Sequence, residues 1–217
     1  MRLKAAVLQF LVIAAGIVLA GVATPVLAQP LQLVGLGDSL MAGYQLPAAD
    51  SYTARLEVAL RAQGVDVVIA NAGVSGDTTA GGLARADWSV PDGTSGVILE
   101  LGANDALRGI PPQESEKNLD AIIARLKARN IPVLLAGILA PPNMGGDYAA
   151  QFNGLYQRLA EKHGVPLYPF FLDGVAAQAK LQLEDGMHPN PDGVGVMVER
   201  SLPTVKAFVD MISAQSK

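Results

Sequence analysis

Any nucleophilic chemistry in this chain needs a base, and the sequence offers only two histidines, His163 and His188. A serine hydroxyl is a weak nucleophile at neutral pH until a neighbouring base takes its proton. His163 stands in Glu161-Lys162-His163-Gly164, at the expected end of a helix, where the negative end of the dipole gives it a structural role. His188 follows Asp185 by three residues, and Pro189 stiffens the backbone behind it. A carboxylate so placed can bond one imidazole nitrogen, fix the tautomer and leave the other nitrogen for a serine. Taken alone, the same turn reads equally well as a capping Asp beside an incidental His. The serine that suits it is Ser39, in Gly37-Asp38-Ser39-Leu40, where the apolar run Leu31 to Leu36 stops abruptly. Asp and Ser there also suit a turn or a helix N-cap.

Acyl transfer further needs hydrogen-bond donors for the oxyanion of a tetrahedral intermediate. The Ser39 N–H, the Gly76 N–H in a glycine-dotted turn and the Asn104 side-chain amide could converge if the three strands before them are neighbours. Each has a plain alternative: Gly76 as a turn residue, Asn104 as a strand-end Asx turn. The glycines near Ser39 do not make a dinucleotide fingerprint, because Gly35-x-Gly37-x-x reaches Leu40 where a third glycine or alanine is required. Leu107, Ile110, Pro141, Pro142 and Met144 follow strand ends and could wall an acyl chain, or merely cover a sheet.

The elements that must position these residues alternate. Leu31 to Leu36, Val65 to Ala70, Gly96 to Leu101, Val133 to Leu139 and Val165 to Tyr168 read as buried strands. Helical periodicity covers Ser51 to Gln63, a patch through Ala84 and Arg85, Pro111 to Asn130, Asp147 to His163 and Pro191 to Ser213. Such alternation predicts an α/β protein whose parallel sheet is covered on both faces, a three-layer α/β/α sandwich. Ser39 then falls at a strand's carboxyl end, where open α/β sheets place their ligands.

The ends and the composition set further bounds. Arg2 and Lys4 precede a long apolar stretch, and Val26-Leu27-Ala28 puts small residues where a leader peptidase cuts, so residues 1–28 read as a signal peptide cleaved before Gln29. The same stretch is long enough to stay as an uncleaved anchor. Removing these residues, which carry two basic and no acidic side chains, takes the net charge from −4 to −6 and leaves 189 residues, enough for one domain over 29–217. An acidic balance disfavours nucleic acid and anionic membrane surfaces. With no cysteine, disulfides, thiolate metal sites and a cysteine nucleophile are excluded.

Gly37-Asp38-Ser39-Leu40, Asn71-x-Gly73-x-Ser75-Gly76-x-Thr78, Gly102-x-Asn104-Asp105 and Asp185-x-x-His188 together resemble the four ordered blocks of the SGNH, or GDSL, hydrolase family. Within it the chain is most similar to the exported bacterial arylesterase, thioesterase and lysophospholipase group. The resemblance implies a flavodoxin-like sheet of five parallel strands, with Ser39 as nucleophile, Asp185 and His188 as its partners and Ser39, Gly76 and Asn104 as oxyanion donors. It implies no metal and no organic cofactor. The order Ser, Asp, His matches that of the α/β-hydrolases, although their Gly-x-Ser-x-Gly elbow is missing. One departure is Ala103, where relatives often carry glycine, which puts the aim of Asn104 in question.

The reading is therefore a periplasmic or secreted monomeric serine esterase acting on small-molecule esters or thioesters, including aryl esters and lysophospholipids. A carbohydrate O-acetylesterase is the alternative enzyme, disfavoured by the few aromatic residues, with Trp88 the sole tryptophan. A non-catalytic exported binding module is the alternative of another class, disfavoured by the intact Ser39, Asp185 and His188.

Overall fold

The computed structural model describes residues 29–215, so residues 1–28, where the signal-peptide reading falls, lie outside it. The strands are β1 (Leu31–Gly37), β2 (Val67–Gly73), β3 (Gly96–Glu100), β4 (Val133–Ala136) and β5 (Leu167–Tyr168). The helices are α1 (Ser39–Ala42), α2 (Tyr52–Ala62), α3 (Thr79–Ser89), α4 (Ala103–Leu107), α5 (Pro112–Ala128), α6 (Gly146–His163) and α7 (Pro191–Gln215).

All five strands pair in parallel in the order β2-β1-β3-β4-β5. Each residue of β3 and β4 is buried, as strands covered on both faces must be. The path runs from β1 outward to β2 and then back across to β3. Right-handed crossovers therefore put α2 on one face and α3, α5 and α6 on the other. The packing follows: α2 lies against α7, while α3, α5 and α6 form a row. The order reverses between β1 and β3, which opens the crevice where doubly wound sheets hold ligands.

Tertiary contacts moved several boundaries. Asn71 to Gly73, expected as a turn, continues β2 because the ladder with β1 holds it, Gly37 lying in register with Gly73. Gly73 is also where α1 crosses the sheet: a Cβ there would sit 2.3 Å from the Ala42 nitrogen. The one-turn helices α1 and α4 are too short to show periodicity. Between β5 and α7 the chain has no long regular element, yet Phe171 and Val175 are buried and pin it to the core.

Candidate active site

Asp38 caps α1 through its Oδ1, which accepts from the Leu40 N–H at 3.0 Å. This leaves Ser39 as the first residue of the turn, its N–H without an intrahelical acceptor. Gly37 is required one step earlier, because a Cβ would sit 2.6 Å from Glu100 Oε2.

The second element is the Asp185 turn. Asp185 Oδ1 accepts from the Met187 N–H at 2.9 Å and the His188 N–H at 3.0 Å, an Asx turn, with Gly186 at φ +66°. Its Oδ2 lies 2.6 Å from His188 Nδ1, and His188 Nε2 lies 2.9 Å from Ser39 Oγ. Ser39 and His188, 149 residues apart in sequence, thus face one another in a continuous line with Asp185. Burial by itself would raise the Asp185 carboxyl, but the His188 and Met187 amides and the imidazole outweigh it and hold the group at about 2. It therefore stays an anion near neutral pH.

The third element is the turn after β2. Gly76 adopts φ +85°, a conformation that favours glycine. Among the described residues, its N–H and that of Ser39 find no acceptor, and Asn104 lines the same cavity. The Asn104 amide donates to the Asp77 carbonyl at 2.9 Å and to Asp38 Oδ2 at 3.2 Å, tying α4 to the first two motifs. Ala103 is helical and compatible with its side chain. The conformational demand falls on Gly102 instead, at φ +126°, where a Cβ would lie 2.3 Å from the Tyr156 hydroxyl oxygen.

Three buried polar groups hold this frame, and spacing alone could not assign their partners. Arg85 pairs with Asp77 at 2.6 Å and donates to the carbonyls of Gly37 and Ala72, so one guanidinium fastens the ends of β1 and β2 to the turn. Asp105 accepts from the Thr79 N–H and from the Thr79 and Ser115 hydroxyls, joining α4 to α3 and α5. Glu100, fully buried, accepts from the Asp38 N–H through Oε2, while Oε1 has no partner. Burial and the nearby Asp38 carboxylate raise the Glu100 carboxyl well above the usual range. Burial also raises Asp38, to about 6, although the Leu40 amide, the Asn104 amide and the His188 charge pull it back.

Ser39 and His188 open onto a cavity of about 490 Å³. Leu107, Pro141 and Pro142 line it, together with Ile138, Leu139, Phe170, Leu172, Ala176, Ala177 and Met187. Ile110 and Met144, expected as walls, do not line it. The Ile110 carbonyl instead accepts from the Tyr148 hydroxyl, and Met144, at the end of the short turn Pro142–Met144 after β4, lies near Gly109. The missed wall between Phe170 and Ala177 comes from the irregular segment after β5, which carries no periodic signal. His163 lies outside the site, with its Nε2 2.6 Å from Asp120 Oδ1 across α5 and α6.

A serine, a histidine and an aspartate in line at the carboxyl edge of a parallel α/β/α sheet, beside two unpaired amides, define a serine hydrolase. The comparisons agree: residues 36–196 match the GDSL-like Lipase/Acylhydrolase family, and the chain belongs to it. It is a carboxylic ester hydrolase of that family. An arylesterase of Vibrio mimicus is 43% identical over 162 residues, spanning 74% of this chain and 81% of that one. The thioesterase 1/protease 1/lysophospholipase L1 of Escherichia coli K12 is 39% identical over 161 residues, 74% of this chain and 76% of the other. The crystal structure of AlinE4, an SGNH-hydrolase family esterase, superposes with a TM-score of 0.71 at 45% identity, covering 82% of this chain and 96% of its own.

Proposed function

We propose that Ser39 is the nucleophile of this esterase, with His188 as its base and Asp185 as the anion that orients the imidazole. His188 Nε2 takes the Ser39 proton as Oγ attacks the ester carbonyl. The tetrahedral oxyanion receives the Ser39 and Gly76 N–H groups and one N–H of Asn104, which turns from Asp38 toward the new charge. Collapse expels the alcohol or thiol, protonated by His188, and leaves an acyl group on Ser39 Oγ. Water, deprotonated by the same imidazole, releases the acid. The chemistry proceeds through side chains and backbone amides, without a cofactor.

The observation that carries this reading is the unbroken line from Asp185 through His188 to Ser39 at the mouth of an apolar cavity. Among the described residues, no Lys, Arg, Asp or Glu lines that cavity, which favours an uncharged acyl or aryl group and offers little to a sugar. The named activities of the relatives extend the reading to aryl esters, acyl thioesters and lysophospholipids. Export by residues 1–28 and action as a monomer complete the proposal. Among the described residues, no helix is long and apolar enough to cross a membrane.

A phosphonate ester that labels active-site serines is expected to modify wild-type protein at Ser39. Ser39→Ala is expected to take up no label and to lose turnover of short-chain aryl esters while remaining folded. A folded, fully active Ser39→Ala protein would falsify the assignment, and absence of any adduct or turnover in the wild type would favour a binding module.

A further inference from the structure

The imidazole of His188 is held by two hydrogen bonds in its own plane, one at Nδ1 and one at Nε2. Two in-plane contacts at nearly opposite atoms leave the ring free to tilt about the line joining them. The Nε2 contact is also lost each time Ser39 Oγ carries an acyl group, so half the cycle runs with one contact fewer. Something must bear on the face of the ring.

Tyr44 does so. Its ring centroid lies 4.4 Å from that of His188, with the planes inclined by 36°. The backbone that presents it is tied to the nucleophile: the N–H groups of Gly43 and Tyr44 both donate to the Ser39 carbonyl, at 3.2 and 3.1 Å. The segment is bent by two left-handed residues, Gly43 at φ +77° and Gln45 at φ +58°. Gln45 is not a glycine, so this conformation costs free energy that the surrounding contacts must offset, a pattern concentrated at functional sites. Tyr44 is 37% exposed and lies outside the buried core, so fold stability does not account for a strained turn that aims it at His188.

We propose that Tyr44 is a positioning residue for His188. Its ring blocks tilting of the imidazole away from Ser39, and its π face favours the imidazolium that forms in each transition state. The inference rests on the assignment of Ser39 and His188 given above. Tyr44 also lines the cavity, so the test must separate a role at the histidine from a role as an acyl-chain wall.

The measurement is kcat and KM for p-nitrophenyl acetate, butyrate and octanoate with wild type, Tyr44→Phe and Tyr44→Leu. Tyr44→Gln serves as a second non-aromatic replacement should the leucine variant fail to fold, and thermal melts check each protein. A ring acting on the imidazole predicts that Tyr44→Leu loses kcat by about ten-fold, by the same factor for all three chains, with KM held within about two-fold. Tyr44→Phe is expected within about two-fold of wild type, because the ring remains. Wild-type kcat in both non-aromatic variants overturns the inference. So does a loss that resides in KM and grows with chain length, or a Tyr44→Phe variant as slow as Tyr44→Leu. Failure of the underlying reading looks different: Ser39→Ala would then hydrolyse the three esters at the wild-type rate.

Discussion

At the scale of single residues, the most demanding position is Asn104. Both directions of its amide are used in the free protein, toward the Asp77 carbonyl and the Asp38 carboxylate. In the proposed mechanism, donation to the oxyanion exchanges one acceptor for another, and the gain exists only when the oxyanion is present. An interaction confined to the transition state lowers kcat on removal without a matching change in KM. Asn104→Ala is accordingly expected to lose roughly 10²- to 10³-fold in kcat on a short aryl ester with KM little changed. Unaltered kcat would remove Asn104 from the mechanism. The sequence made Asn104, Ser39, Asp185 and His188 visible because each belongs to a short motif whose residue types suit acyl transfer. It could not show Asp38 as the resting partner of Asn104, since that contact joins positions 66 residues apart.

At the scale of elements, three loops must keep a common register, and Arg85 is the fastener. It reaches from α3 to the last carbonyl of β1, a carbonyl near the end of β2 and the Asp77 carboxylate, and its side chain is only 8% exposed. Removing one partner of a buried pair leaves the other charge uncompensated, at a cost of about 3 to 5 kcal/mol. Arg85→Met should therefore lower the free energy of unfolding in urea by about 3 kcal/mol, because the Asp77 carboxylate loses its counter-charge and the Gly37 and Ala72 carbonyls each lose one donor. It should lower kcat as well, since the turn carrying Gly76 loses its anchor. A variant as stable as wild type would show that Asp77 and the strand ends are held by other means. Helical periodicity placed Arg85 on α3 but said nothing of where its guanidinium points.

At the scale of the whole molecule, the buried carboxyl pair sets a dependence of stability on pH. Asp38 is raised from 3.8 to about 6, so the folded protein binds a proton more tightly than the unfolded chain does. Its contribution is fully present below about pH 3.8 and is lost as pH rises through 6. Glu100, raised further by burial, acts with the same sign. Asp185 acts oppositely: held at about 2, it stabilises the fold above 3.8 and that contribution is lost as pH falls through 2. From these groups, thermal stability should peak in mild acid and fall toward neutrality. Asp38→Asn, which removes the titrating charge, should lose less stability than wild type between about pH 4.5 and pH 7.5. Melting curves at the two pH values check this, and equal slopes for the two proteins would contradict it.

Strand and helix order, the apolar runs of the sheet and the four chemically loaded motifs were set by local chemistry, and a parallel three-layer α/β/α arrangement follows from their alternation. Short-range patterns carry that much because burial and helix periodicity act over a few residues. The strand order β2-β1-β3-β4-β5, the 2.9 Å approach of His188 to Ser39 and the cavity wall drawn from Phe170 to Ala177 were decided only by tertiary packing. Ile110 and Met144 mark the boundary between the two: both are apolar and suitably placed in sequence, yet Ile110 is held against Tyr148 and Met144 lies near Gly109, outside the cavity lining. Contacts across a hundred residues or more depend on the whole core, and no local pattern encodes them.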